Sequence, residues 1–180
     1  MRTKIPSQRS LSWTDLINAP FFVDANWSSF DNLWQQTEFE RSHRFFGSAN
    51  PQSYAKAKSC AARWYACRNK LELSYTYGYE MRLYVFGEYM TFERAVLWGE
   101  ARGHRQAGIV NLLALLTVDQ LRTCIYSNLD PQRTSIVVTH SHGKKALVPV
   151  LLAGHCTLMF DEGCRGGRGL KPGTPFLFLT

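Results

Sequence analysis

The sequence predicts an α+β fold with a small mixed sheet, flanking helices and a mostly helical N-terminal part. Helical spacing of apolar residues dominates as far as about residue 70, an alternating run at 71–77 is typical of a strand, and short apolar runs follow Pro131. The length of 180 residues suits one domain with a substantial core. We therefore expect a single domain, 1–180, in which 1–70 is mostly helical and 71–180 is the core.

Helix start and stop signals divide the N-terminal part. Ser12 and Asp15 have capping-box spacing, which predicts a short helix that ends before Pro20. Apolar spacing predicts an amphipathic helix over 28–47, and an asparagine followed by proline predicts another helix over 51–68.

The middle of the chain changes from strands to helices. The alternating run 71–77 predicts the clearest strand, Gly78 a turn, and 81–85 its antiparallel partner. Thr91 is a predicted N-cap, and apolar spacing with a second capping box predicts two consecutive helices that end near Asn128. Four further predicted strands are Ser135 to Thr139, Leu147 to Leu152, Cys156 to Phe160 and Pro175 to Leu179.

The formal net charge of +7 and the pI near 9.3 favour a polyanionic partner, because a positive potential attracts nucleic acid whatever the fold. Lys56 and Arg63 share one face of the helix over 51–68, either as a solvated face or as a stripe that contacts phosphates. The residues expected to follow a DNA backbone without reading sequence are Lys56, Arg63, Arg102, Arg105, Lys144 and Lys145.

Cysteine and histidine usage predicts neither a disulfide framework nor a zinc site. The five cysteines include no C-x-x-C pair, which favours a reducing compartment. His140 and His142 fit a polar hairpin turn. Gly103, His104 and Arg105 resemble a fragment of a nucleotide-handling motif, and a junction between helices explains them equally well. No apolar run approaches eighteen residues, so we expect a cytoplasmic protein without a membrane segment.

The candidate site is an acidic run followed by a glycine- and arginine-rich run at 161–170. Asp161 and Glu162 are the only carboxylates between residues 131 and 180. Glu162, helped by Asp161, is the candidate metal ligand or general base. The groups expected to bind phosphate oxygens are the backbone amides of Gly163, Gly166 and Gly167 and the side chains of Arg165 and Arg168. The alternative is a surface loop whose acids pair with its own arginines.

Cys164 lies among these arginines, which favour a thiolate if the side chain is exposed. A thiol role is therefore one hypothesis, and a small turn residue is the other.

The segments 147–152, 155–165 and 170–179 together resemble the core of the ParB/sulfiredoxin fold. In that fold an acidic residue, glycine, histidine and arginine form a nucleotide-phosphate-binding turn; Glu162, Gly163 and Arg165 match it, and Cys164 stands in place of the histidine. The candidate catalytic residues are Asp161, Glu162, Cys164 and Arg165.

Within that fold, the chain is similar to plasmid fertility-inhibition factors. The similarity implies an ATP-linked deoxyribonuclease that attacks single-stranded or linear DNA destined for a type IV secretion channel. ATP and a divalent metal, Mg²⁺ or Mn²⁺ at Glu162, are the implied cofactors, and type IV secretion components are further implied partners. The alternatives are a non-catalytic DNA- or protein-binding module of the same fold and a thiol enzyme that uses Cys164.

Overall fold

The chain has an α+β fold in which one mixed sheet is covered by helices. The computed structural model describes residues 13–24, 29–37, 51–68, 78–128, 135–140, 148–152, 157–161 and 169–180. The helices of these residues are α1 (Trp13–Asn18), α2 (Phe30–Gln36), α3 (Pro51–Ala66), α4 (Phe92–Glu100), α5 (Ile109–Thr117) and α6 (Asp119–Asn128). None of them is long and apolar enough to cross a membrane.

The described part of the chain contributes seven strands to this sheet. They are β1 (Phe21–Asp24), β2 (Gly78–Val85), β3 (Arg105–Gln106), β4 (Ser135–Val138), β5 (Val148–Leu152), β6 (Thr157–Asp161) and β7 (Pro175–Leu179). The order is β1-β2-β7-β4-β5-β6, and β3 also pairs with β7. Only the β4–β7 pair is parallel among these strands; the other pairs are antiparallel.

Both faces of β7 are buried, and its side chains alternate between two cores. Leu177 and Leu179 face the larger core, which helices α1, α2, α3, α5 and α6 help to form. Phe176 and Phe178 face the smaller core beneath α4. Helix α5 is apolar almost all round and is buried from Ile109 to Leu116, as expected for a central helix.

A buried threonine joins β3 to the strands beside it. The Thr139 hydroxyl accepts a hydrogen bond from the Ala107 amide at 2.8 Å and donates one to the Leu177 carbonyl at 2.8 Å. The Thr139 amide in turn donates to the Ala107 carbonyl at 3.0 Å. Strands β3 and β4 thus share one edge of β7, with Thr139 at their junction.

Most of the predicted elements are confirmed. Helix α3 begins at Pro51, the Thr91 side chain caps α4 by accepting from the Arg94 amide, and two consecutive helices end at Asn128. Strands β4 to β7 occupy the four predicted segments to within a residue or two at each end. Helix α2 covers only Phe30–Gln36 of the predicted 28–47, and residues 38–50 lie outside the described residues.

Three features differ from the prediction. Gly78 is the first residue of β2, paired with Asp24, rather than a turn, because β1 continues the sheet beside it. Strands β1 and β3 were not predicted; they are only four and two residues long and lack a run of alternation. The clearest predicted strand, 71–77, lies outside the described residues.

Candidate nucleic-acid interface

Four arginine side chains surround the short strand β3, and each lies over an aromatic ring. We call this group the β3 arginine band, and its members are Arg68, Arg82, Arg102 and Arg105. The guanidinium-to-ring distances are 4.9 Å to Trp64, 4.7 Å to Tyr84, 4.2 Å to Trp98 and 5.9 Å to Tyr79, respectively. All lie within the range of attraction between a cation and an aromatic ring.

The β3 arginine band has members on both sides of the sheet. Arg105 is opposite Leu179 and therefore lies on the side of the larger core, next to the end of α3. Arg68, just beyond α3, donates to the carbonyl of Gln106 at 3.0 Å, which fixes its position against β3. Arg82 is opposite Phe178 on the α4 side.

An aromatic cluster supports the α4 side of the band. Tyr84 packs edge-on against Trp98 with ring centroids 4.6 Å apart, and both rings contact Phe178. Gly99 lets helix α4 approach this closely, because a Cβ there would lie 2.2 Å from the Phe178 ring. Strand β2 and helix α4 thus place aromatic rings beneath the guanidiniums of Arg82 and Arg102.

His104 is the titratable group of this cluster. Its Nε2 is hydrogen-bonded to the Tyr84 hydroxyl at 2.7 Å, and its ring stacks on Trp98 with a centroid distance of 6.3 Å. Burial, with the positive charges of Arg82 and Arg102, lowers the pKa of His104. The imidazole is therefore mainly neutral at neutral pH.

The structure describes four of the six predicted DNA-contacting residues, and all four are exposed: Lys56, Arg63, Arg102 and Arg105. Lys144 and Lys145 lie outside the described residues, between β4 and β5.

Lys56 and Arg63 on α3, two of the predicted phosphate contacts, differ from the neighbouring Lys58 in whether they pair with a carboxylate. Lys56 and Arg63 have no carboxylate partner among the described residues, whereas Lys58 pairs with Asp31 at 3.1 Å. The α2–α3 contact thus uses Lys58, and it leaves the other two cations facing solvent.

The acidic, glycine- and arginine-rich site is described only at its two ends. Asp161 is the last residue of β6, an edge strand of the described sheet, and its backbone is opposite Val148. The remaining predicted catalytic and phosphate-binding residues lie outside the described residues: Glu162, Gly163, Cys164, Arg165, Gly166, Gly167 and Arg168.

Strands β6 and β7 are not neighbours, because β5 and β4 lie between them. The run 161–170 therefore connects two strands that are not paired with each other. Asp161 lies at the end of the sheet where β4 ends, while Leu170 forms a β-bridge with Met90 near the opposite end, where β2 ends. The two ends of the candidate site thus leave the sheet from opposite sides.

Gly169 has a packing role. It adopts a φ of +80°, and a Cβ there would lie 2.8 Å from the Met90 carbonyl carbon and 2.9 Å from the Thr91 nitrogen. Its own backbone conformation and the close approach both require glycine, so this glycine is explained without a bound anion.

The sheet register brings Asp161 and His140 to the same end of the sheet. Thr139 follows β4 at the level of Val148, and Val148 is opposite Asp161. Two strand spacings of about 4.8 Å therefore separate the backbones of Thr139 and Asp161 by roughly 10 Å. His140 is the next residue, and its amide donates to the Ala107 carbonyl at 2.8 Å.

Neither metal ligands nor reactive thiols cluster in the described part of the chain. No group of three or more His, Cys, Asp or Glu side chains suited to a metal occurs among the described residues. Cys60 and Cys67 are free, as their helical spacing predicts, and burial raises the pKa of Cys60 to about 11. Cys60 is thus a structural thiol.

Sequence reasoning missed His104 and Arg82 as site residues. His104 lay in a three-residue fragment that a junction between helices explained as well as a nucleotide-handling motif did, and Arg82 occupied an ordinary polar position in a predicted strand. The alternation within β2 that places Arg82 and Tyr84 on one face was visible, but their contact with the α4–β3 turn depends on tertiary packing. Comparisons with protein-family models, curated proteins and solved structures gave no match.

Proposed function

We propose that this chain binds nucleic acid along the β3 arginine band. The observation that carries the proposal is the pairing of exposed Arg102 with the Trp98 ring at 4.2 Å, beside Arg82 over the Tyr84 ring at 4.7 Å. Guanidiniums supply phosphate contacts, and partly exposed rings supply surfaces on which unpaired bases stack. The net charge of +7 adds long-range attraction.

Single-stranded DNA is the ligand that this arrangement favours. Stacking on aromatic rings requires unpaired bases, whereas a duplex offers only its grooves and backbone. Lys56 and Arg63 on α3 are two further exposed cations, and neither has a carboxylate partner in the described part of the chain.

Arg102→Gln tests the proposal, with Arg94→Gln on the preceding helix α4 as the matched control. Arg94 is exposed but pairs with Glu88 at 3.0 Å, so it is not expected to contact phosphate. We expect Arg102→Gln to reduce the slope of log K against log salt for a single-stranded oligonucleotide by about 0.7, the value for one phosphate contact. Arg94→Gln should leave that slope unchanged. An equal response of the two variants, or no binding by the unmodified protein, would contradict the proposal.

A second candidate function is the ATP-linked deoxyribonuclease that the sequence resemblance implies. We infer it from the ParB/sulfiredoxin-like pattern and from the similarity to plasmid fertility-inhibition factors such as the oncogenic suppression activity protein. Its support in the structure is the position of Asp161 at the end of β6, an edge strand of the described sheet. Glu162 would hold Mg²⁺ or Mn²⁺ beside a nucleotide phosphate, and cleavage in the cytoplasm would block DNA transfer by type IV secretion.

Incubation of linear DNA with the protein, ATP and Mg²⁺ tests this candidate. Glu162→Ala should abolish cleavage and phosphate release while its circular dichroism spectrum stays unchanged. Full activity in the folded variant would refute the role of Glu162. Absence of cleavage and phosphate release by the unmodified protein would leave the binding function alone.

Cys164→Ser separates the thiol hypothesis from both candidates. A thiol enzyme would lose its activity on this substitution, whereas a nucleic-acid-binding protein would keep its affinity.

A further inference from the structure

We propose that Arg82, Arg102 and His104 form one phosphate-binding site, at which the imidazole takes up a proton when the phosphate binds. The ligand class is a phosphate mono- or diester, from either the backbone or a terminal phosphate of a nucleic acid. The inference rests on the proposed function for its biological ligand, but the site is defined by its own geometry.

The three groups are joined by a continuous chain of contacts on the α4 side of the sheet. Arg82 lies over the Tyr84 ring, whose hydroxyl is hydrogen-bonded to His104 at 2.7 Å. On the other side, His104 stacks on Trp98, and Arg102 lies over that same ring. The imidazole is thus held between two aromatic rings, each of which carries a guanidinium.

The backbone fixes the imidazole in this position. The His104 amide donates to the carbonyl of Gly99, in the last turn of helix α4, at 3.0 Å. The next residue, Arg105, begins β3. Because the residue is anchored on both sides and its ring is stacked, little conformational entropy is lost when a ligand binds.

Two carboxylates near this group accept hydrogen bonds from other residues. Glu80 is on the same face of β2 as Arg82 and accepts a hydrogen bond from the Thr180 hydroxyl at 2.9 Å. Glu100, at the end of α4, accepts one from the Gln106 side chain at 2.9 Å. β7 contributes the uncharged Phe178 to this cluster.

The protonation state of His104 therefore depends on the charge of a ligand bound near Arg82 and Arg102. Their positive charges lower the pKa of His104 in the free protein. A bound phosphate dianion or diester brings negative charge close to the ring and raises that pKa. By linkage, a group that gains a proton on binding makes the affinity rise as the pH falls, by at most roughly tenfold per pH unit for one proton.

The test is the affinity of short oligothymidylates, with and without a 5′-phosphate, between about pH 5.5 and 8 at constant ionic strength, a range in which an ordinary histidine titrates. We expect the affinity to rise as the pH falls, and His104→Gln to make it nearly independent of pH while binding at the upper end of the range persists. His140→Gln is the matched control, because His140 is also partly buried but belongs to the end of β4. It should keep the pH dependence.

The two oligonucleotides identify the source of the phosphate. Equal pH dependence for both indicates backbone phosphates, and pH dependence of the 5′-phosphorylated form alone indicates a terminal phosphate. If Tyr84→Phe also makes the affinity independent of pH, the hydroxyl that is hydrogen-bonded to His104 contributes to its proton uptake.

Nuclear magnetic resonance titration of His104 with inorganic phosphate separates failure of the site from failure of the function. DNA binding that is independent of pH, with an unshifted His104 pKa, overturns the phosphate site and leaves the proposed function. A raised His104 pKa without any DNA binding overturns the function and leaves the site. The same pH dependence in His104→Gln as in the unmodified protein overturns the inference.

Discussion

Thr139→Val is the substitution that most directly tests how the β3 arginine band is held in place. The Thr139 side chain is completely buried, and its hydroxyl connects the Ala107 amide after β3 with the Leu177 carbonyl in β7. Valine has nearly the same shape but neither donates nor accepts a hydrogen bond. The change therefore removes two bonds without leaving a cavity.

The magnitude follows from the burial of these partners. Both bonds are 2.8 Å long, and the Ala107 amide lies in a fully buried residue. Leaving a buried donor unsatisfied costs about 1–3 kcal/mol, and the lost bond to the carbonyl adds about 0.5–1.5 kcal/mol. We expect a total destabilisation of about 2–4 kcal/mol, a large share of the roughly 5–15 kcal/mol typical of a folded domain.

Urea unfolding followed by tryptophan fluorescence measures this loss. Thr139→Ser is the control, because serine keeps the hydroxyl and loses only one buried methyl group, which costs about 1 kcal/mol. Valine should therefore be more damaging than serine. A free energy of unfolding for Thr139→Val within about 0.5 kcal/mol of the unmodified protein would refute the assignment, because substitutions that disturb no structural feature fall in that range.

Two glycines give further predictions. Gly99→Ala places a Cβ 2.2 Å from the Phe178 ring and should lower the free energy of unfolding by about 1–3 kcal/mol through overpacking. Gly87→Ala is the control and should be nearly neutral, because nothing lies within 4 Å of its Cβ. Thermal unfolding of the two variants measures the difference. Gly169→Ala should lower the melting temperature more than Gly103→Ala, since both have φ near +80° but only Gly169 also faces a close backbone contact. Equal losses for the latter pair would show that backbone conformation alone decides the cost.

The elements of this fold were predictable wherever local chemistry determines them. Thr91 caps α4, Pro51 begins α3, and the apolar run Pro175–Leu179 forms β7, all as their local sequence indicates. The strand β3 was not predictable, because two residues carry no periodicity and its pairing with β7 depends on the tie at Thr139.

The candidate site was predictable only in part. The exposed arginines Arg102 and Arg105 were identified from charge, but their aromatic partners were not. Trp98 and Tyr84 come from a helix and a strand that meet only in the folded chain. The need for glycine at position 169 was not predictable either, because it follows from a close approach to Met90 and Thr91 that exists only in the folded chain.

The central position of β7 has a consequence for the order of folding. This strand separates β1 and β2, from the first half of the chain, from β4, β5 and β6 in the second half, and Met81 pairs with Leu179. Such long-range pairing closes a large loop and slows folding. During synthesis, β2 and β4 both emerge before the strand that pairs with each of them. Until β7 arrives, their unpaired edges are surfaces on which a nascent chain can aggregate.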